Sequence, residues 1–117
     1  MSNEPEVRRG NVVIVRLDPA EGHEMKKTRP AVVVQNDVGN ANSSTTIIAP
    51  ATGTYRGYPF EVLVEAKDSP FEKDSSIRLD QIRVVSIEKR IHSVLGRLNG
   101  KTMANVDDAL KLSLGLE

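Results

Sequence analysis

The sequence predicts a mainly β protein: a small, curled, mostly antiparallel barrel closed by a C-terminal α-helix. Short β-branched segments follow one another closely and are separated by turns rich in Pro, Gly and Asn, and only the last segment has helical spacing. A length of 117 residues is typical of one domain. We therefore expect a single domain over residues 1–117, with residues 1–8 loosely held.

Each candidate strand is a short apolar run that ends at a turn or a polar loop. These runs are residues 11–17, 31–35, 45–49, 59–65, 76–79 and 81–85, with residues 91–98 as a further candidate. Pro30 opens the second strand, where a missing N–H is tolerated. In the fourth strand Val62 alternates with Glu61 and Leu63, which predicts one apolar face and one mostly solvated face.

Two further segments complete the element prediction. Residues 36–44 consist of turn-forming residues throughout. The C-terminal segment is predicted to be helical, with Thr102 as its N-cap, because apolar residues recur every three or four positions. These residues are Met103, Val106, Leu110 and Leu114.

The composition excludes several classes of protein. Cysteine is absent, which excludes disulfide scaffolds, thiolate zinc sites and cysteine nucleophiles. Sixteen basic residues balance sixteen acidic ones, so the chain is not a globally basic nucleic-acid coat protein, although a local basic site is compatible with this balance. No apolar run approaches the ~20 residues of a membrane span, and no signal peptide is visible. We expect a cytoplasmic protein without a membrane partner.

Motifs for metal or nucleotide chemistry are missing from the sequence. The two histidines, His23 and His92, lie far apart, and there is no HExxH, EF-hand, Walker A, GxGxxG or GxSxG pattern. We therefore expect no metal and no cofactor.

Two polar loops, residues 21–29 and 51–58, each join neighbouring strands and are expected at the same end of the barrel. They contain basic side chains and two tyrosines, a combination that suits single-stranded nucleic acid, because cations meet phosphates and rings stack on bases. A pair of lysines in such a loop is usually solvated, and the two tyrosines are equally compatible with packing over the barrel end. The residues alone indicate an anion site on a small barrel, formed by Lys26, Lys27, Arg29 and Arg56.

Several motifs in and around these loops resemble the MazF/PemK family of toxin endoribonucleases. In order they are RGNV at 9–12, DP at 18–19, GHEMKKTRPAVVVQND at 22–37, RGYPFEV at 56–62 and SIRLDQIR at 76–83. Each motif is short, but their order and spacing are specific, and the resemblance extends from about residue 8 to residue 116.

The resemblance implies an SH3-like barrel that forms a homodimer, with RNA along grooves at the dimer interface. It also implies sequence-specific, metal-independent cleavage of single-stranded RNA, with mRNA the expected substrate, and a cognate antitoxin that blocks the site. The family's catalytic pair falls on Arg29, directly before the Pro of the second strand, and on Thr52, at the end of the third. Further RNA contacts are expected from His23, Glu24, Lys26, Lys27, Asn36 and Arg56.

His23 stands where the family often has Ser. A histidine titrates near ~6.5, so we hypothesise that His23 assists transfer of the 2′-hydroxyl proton, with Glu24 as another acceptor. A loop histidine in water is the alternative. Arg29 suits the phosphate itself, because its planar fork matches phosphate oxygens.

The main alternative function is that of a non-enzymatic toxin of the same fold that binds DNA gyrase. In that related group the C-terminal helix ends with a Trp that inserts into the target, whereas this chain contains no Trp. A second alternative is an RNA-binding barrel that has lost its activity. The presence of both Arg29 and Thr52 favours the nuclease.

Overall fold

The computed structural model describes residues 5–17 and 28–116. Within them the elements run, in chain order, β1 (Asn11–Arg16), β2 (Thr28–Val33), α1 (Asp37–Asn42), β3 (Thr45–Thr52), β4 (Glu61–Val64), β5 (Ser75–Arg78), β6 (Arg83–Ser86), α2 (Ile87–Arg90), β7 (Ile91–Arg97) and α3 (Gly100–Leu114), with a short 3-10 turn at Ala66–Asp68. The predicted mainly β fold with a C-terminal helix is confirmed.

All strand pairs are antiparallel, and β3 is the strand around which the sheet is organised. The strand order is β4-β5-β3-β2-β1-β7, with β6 beside β3. Ile48 of β3 pairs with Val33 of β2 on one side and with Arg83 of β6 on the other. β6 and β5 therefore follow one another along the same edge of β3. The resulting sheet is curled but is not a closed ring of strands.

The sheet is covered on both faces by aliphatic side chains. One core includes Val12, Val32, Ala49 and Ile77, and α3 closes it with Val106 and Ala109. The other core lies on the opposite face and includes Val13, Val15, Ala31, Val33 and Ile48. Two cores explain why the strands carry near-continuous runs of valine, since residues that alternate in sequence are buried on opposite faces.

Three features of the helices differ from the sequence prediction. The segment predicted as turns contains α1, because the Asn36 side chain accepts a hydrogen bond from the Gly39 amide at 2.7 Å and caps a helix there. Thr102 is not the N-cap of α3. Asn99 is the cap, and its side chain accepts from the Thr102 amide at 2.8 Å. The helix α2 was not predicted.

The two faces of β4 also depart from the prediction. Glu61 was placed on the solvated face, yet only 6% of its surface is exposed, whereas Leu63 on the same face is 50% exposed. Strand alternation assigns the side chains to faces correctly but does not show which part of a face is covered. Here a neighbouring loop covers Glu61.

The N-terminal segment and α3 are tied to the sheet by polar contacts. Arg9 donates from Nε to the Val34 carbonyl at 2.8 Å, and its Nη2 lies 2.7 Å from Asp107 Oδ1 on α3. Val7 is buried in the second core, whereas its neighbours Glu6 and Arg8 are exposed. None of the described helices combines the length and the apolar character that crossing a bilayer requires.

Candidate active site

Arg29 and Thr52 meet where β2 and β3 reach the rim of the sheet. Ala31 of β2 pairs with Pro50 of β3, and the residues two positions further along each strand are Arg29 and Thr52. The β2–β3 pairing ends at this pair: Arg29 pairs with Val15 of β1, and Thr52 pairs with Ser76 of β5. Both residues with the expected catalytic roles nevertheless line the same groove, although they are distant in sequence.

The local sequence explains why these two side chains reach solvent. On β2, Arg29 shares its face with Ala31 and Val33, both of which are buried in the second core. On β3, Thr52 shares that face with the buried Ile48. Both strands therefore continue from buried positions to the edge of the sheet. There Arg29 and Thr52 are half-buried.

A groove of about 730 Å³ is lined by both residues, and we refer to it as the Arg29–Thr52 groove. Its lining comes from the ends of β2 and β3, from Ile14 of β1 and Leu95 of β7, and from residues 71–75. A guanidinium and a hydroxyl are thus arranged in a cleft that opens to solvent, which suits an anionic, extended ligand.

The Thr52 hydroxyl is already engaged. Its Oγ1 donates to the Thr54 carbonyl at 3.2 Å. A hydroxyl oxygen has two further acceptor positions. Thr52 therefore fixes the start of the chain that leaves β3, and its hydroxyl can donate to a ligand oxygen only by releasing Thr54.

Sequence reasoning missed the wall made by the β4–β5 loop, residues 65–74. This loop brings Glu72, Lys73 and Asp74 to the groove. The Asp74 carboxylate accepts from the Ala66 amide at 2.8 Å, which closes the loop on itself. No sequence motif marks these residues, because a contact between distant parts of the chain brings them to the groove. A Cβ atom at Gly96 of β7 would lie 2.7 Å from Pro70, so glycine at this position allows the loop to pack there.

The second polar loop was predicted over residues 51–58, and in the structure it covers residues 53–60 between β3 and β4. Gly53 lines the groove, whereas Arg56 is exposed and is not among the lining residues. Tyr55 lines a separate depression beside α3. The ring of Tyr58 stacks on the ring of Phe60, with centroids 5.1 Å apart. This contact favours the interpretation that Tyr58 packs against the protein over the interpretation that it stacks on an RNA base.

Arg78, the last residue of β5, and Asp80 form an ion pair. Arg78 donates from Nε and Nη2 to the two carboxylate oxygens of Asp80, at 2.9 and 2.8 Å. These bonds lower the pKa of Asp80, so the pair stays charged at neutral pH. The guanidinium also lies 5.6 Å from the centroid of the Phe60 ring. The pair was not predicted, since nothing in the sequence shows that the two side chains meet.

The remaining residues expected to bind RNA fall into two groups. His23, Glu24, Lys26 and Lys27 lie outside the described residues. Asn36 caps α1 and does not line the groove. Their contacts to RNA stay predictions, as does that of Arg56.

Comparison with solved structures extends the likeness to the whole fold. The Mycobacterium tuberculosis toxin MazF-mt6 is 21% identical, with a TM-score of 0.76 over 92% of this chain and 98% of that chain. An endoribonuclease in complex with its cognate antitoxin, from a Mycobacterial species, is 23% identical, with a TM-score of 0.79 over 95% and 97%. MazE–MazF (Form-II) from Deinococcus radiodurans is 24% identical, with a TM-score of 0.80 over 97% and 100%. At these identities the match establishes the fold.

A match to a protein-family model shows which family the chain belongs to. The model for PemK-like, MazF-like toxins matches residues 8–114, which confirms the resemblance found in the sequence motifs. The chain belongs to the family of PemK-like, MazF-like toxins of type II toxin–antitoxin systems.

Proposed function

We propose that this toxin is a sequence-specific, metal-independent endoribonuclease that cleaves single-stranded RNA, with mRNA as its main substrate. The observation that carries the proposal is the juxtaposition of Arg29 and Thr52 in one open groove. Family membership supports it, and so do the related structures that are described as endoribonucleases.

The reaction that these residues support is an internal transesterification. The 2′-oxygen of the RNA attacks the adjacent phosphorus, the P–O5′ bond breaks, and the proton lost by the 2′-hydroxyl is balanced by one gained at the 5′-oxygen. The products are a 2′,3′-cyclic phosphate and a 5′-hydroxyl. Because the nucleophile belongs to the substrate, holding it in line contributes on the order of 7–11 kcal/mol.

In this scheme Arg29 stabilises the negative charge that develops on the phosphorane, with two parallel N–H donors directed at phosphate oxygens. Thr52 provides a further hydrogen bond to the same phosphate. A guanidinium keeps its proton, so Arg29 is a charge donor and not the base.

The proton acceptor is a separate question. His23 is our candidate, and Glu24 and the groove residue Glu72 are the other acceptors. If His23 accepts the proton, the pH–rate profile of the wild type has an inflection near ~6.5 that His23→Ala removes. Glu72→Gln is the matched control and should keep the inflection. An identical profile for the wild type and His23→Ala would exclude His23.

Positively charged side chains should set RNA affinity. We expect Lys26, Lys27, Arg56 and Lys73 to contact phosphates, and each contact adds about 0.7 to the slope of log affinity against log salt. Lys73→Ala should therefore flatten the slope by about 0.7, because Lys73 lines the groove. Lys101→Ala removes an exposed charge on α3 and should leave the slope unchanged. Fluorescence anisotropy with a labelled oligonucleotide measures both, and equal slopes for Lys73→Ala and the wild type would contradict the assignment.

The proposed function is tested by incubating the purified toxin with end-labelled RNA in the presence of EDTA. Cut products with a 2′,3′-cyclic phosphate support the nuclease. Intact RNA together with inhibition of DNA gyrase supercoiling would support the gyrase-binding alternative. RNA binding without cut products would support the inactive RNA-binding barrel.

Partners and location belong to the same proposal. A cognate antitoxin is proposed as the inhibitor, supported by related structures described as complexes with an antitoxin. A homodimer is proposed because the family resemblance implies it and because large apolar side chains are exposed on several elements. These include Leu63, Val94, Leu95, Leu112 and Leu114. The expected solution mass is twice 12.8 kDa. Cytoplasmic RNA as substrate would place the toxin in the cytoplasm.

A further inference from the structure

Glu61, at the start of β4, is a buried carboxylate that the reaction scheme above does not use. It is the one charged residue that is buried in the described part of the chain. Isolated charges are rarely buried, because the loss of hydration disfavours the ionised form unless hydrogen bonds replace the water. A buried carboxylate close to a binding loop therefore requires an explanation.

Hydrogen bonds from two directions hold the Glu61 carboxylate. Oε2 accepts from the Tyr58 amide at 2.9 Å, and Oε1 accepts from the Ser76 hydroxyl at 3.0 Å and, at a longer 3.5 Å, from the Arg56 amide. Burial acts to raise the pKa of Glu61, but these hydrogen bonds outweigh it, and the pKa lies below that of an ordinary glutamate. The side chain is therefore ionised at neutral pH and binds the loop backbone as an anion.

The same contacts connect the 53–60 loop to the Arg29–Thr52 groove. Ser76 of β5 is the register partner of Thr52 on β3, so the carboxylate is anchored one strand away from the candidate catalytic threonine. The other end of the loop is fixed by the bond from Thr52 Oγ1 to the Thr54 carbonyl. The loop that carries Arg56 is thus tied at its start to Thr52 of β3 and near its end, through Glu61, to Ser76 of β5.

We propose that Glu61 is a positioning residue for RNA binding: its carboxylate, anchored by Ser76, holds the backbone of residues 56–58 in one conformation, so that the exposed Arg56 is ordered before RNA arrives. This inference rests on the proposed ribonuclease function. A preorganised loop avoids the entropy of ordering Arg56 on binding, so Glu61 acts on affinity and not on the chemical step.

The test is a kinetic comparison of Glu61→Gln with wild type. Gln offers one acceptor oxygen in place of two and turns an NH₂ group towards the loop amides. We expect KM for RNA to rise about tenfold with kcat within about twofold, as when a loop must be ordered on binding. Glu65→Gln removes an exposed carboxylate at the opposite end of β4 and should leave KM unchanged. Unchanged KM in Glu61→Gln would overturn the inference.

A double-mutant cycle separates positioning from general stability. If Glu61 acts through Arg56, then Arg56→Ala raises KM in the wild type but has little further effect in Glu61→Gln. Equal effects in both backgrounds would overturn the inference, because a purely structural role gives additive changes. Should Glu61→Gln fail to fold, Ser76→Ala removes one anchor and keeps the carboxylate. A rise in KM in Ser76→Ala then supports the inference, and an unchanged KM overturns it.

Failure of this inference is distinguishable from failure of the proposed function. If wild type cuts RNA and Arg29→Ala does not, the ribonuclease stands, and an unchanged KM in Glu61→Gln overturns the positioning role alone. If the wild type cuts no RNA, the proposed function fails and the positioning role fails with it.

Discussion

Arg29→Ala should lower the rate of RNA cleavage by roughly 10²-fold or more, the usual effect of removing a preorganised charge donor from a transition state. The loss should appear in kcat, because the charge that Arg29 stabilises grows on the phosphorane and is smaller in the bound substrate. Single-turnover cleavage of an end-labelled oligonucleotide measures it directly.

Two variants serve as controls for Arg29→Ala. Arg29→Lys keeps the positive charge but loses the two-pronged donor geometry, so its rate should lie between those of the wild type and Arg29→Ala. Arg8→Ala removes an exposed arginine outside the groove and should cleave at the wild-type rate. A folded Arg29→Ala with wild-type activity would reject the assignment of this residue.

Thr52→Val should lower cleavage by about 10- to 100-fold, the effect of losing one hydrogen bond to a charged group. The substitution keeps the branched shape and removes only the hydroxyl. It also releases the Thr54 carbonyl, but Thr54 is exposed, so water replaces the lost bond and the fold should persist. Cleavage rates and thermal unfolding midpoints, measured on the same samples, separate the two effects.

Thr52→Ser is the matched control, because it restores the hydroxyl without the methyl group. We expect it to recover most of the activity lost in Thr52→Val. If Thr52→Val and Thr52→Ser lose activity equally, the methyl group and its packing are responsible, and the hydroxyl does not contact the phosphate.

Local pattern was sufficient to predict most of the fold. The strands are short, β-branched and punctuated by Pro, Gly and Asn, and the helical period of the last segment is clear, so element types are largely determined by neighbours in sequence. Helix ends were less predictable. Asn99 and Thr102 are both competent N-caps, and only the structure shows which side chain accepts the amide hydrogen.

The candidate site was predicted only in part, because its walls come from distant segments. Arg29 and Thr52 were identified by family resemblance, and the structure shows that both line one groove. Lys73 reaches the groove because Pro70 packs against Gly96, a contact that no local pattern encodes. The burial of Glu61 likewise depends on a loop folding over the strand, which alternation along β4 cannot reveal.

The most direct measurement of the central claim uses an oligonucleotide in which the single nucleotide on the 5′ side of a mapped cleavage site is 2′-deoxy. If the groove positions the RNA's own hydroxyl against the phosphate, cleavage at that bond should vanish while binding affinity stays close to that of the all-RNA oligonucleotide. Continued cleavage at the deoxy position would show that another nucleophile attacks the phosphorus, and it would contradict the account.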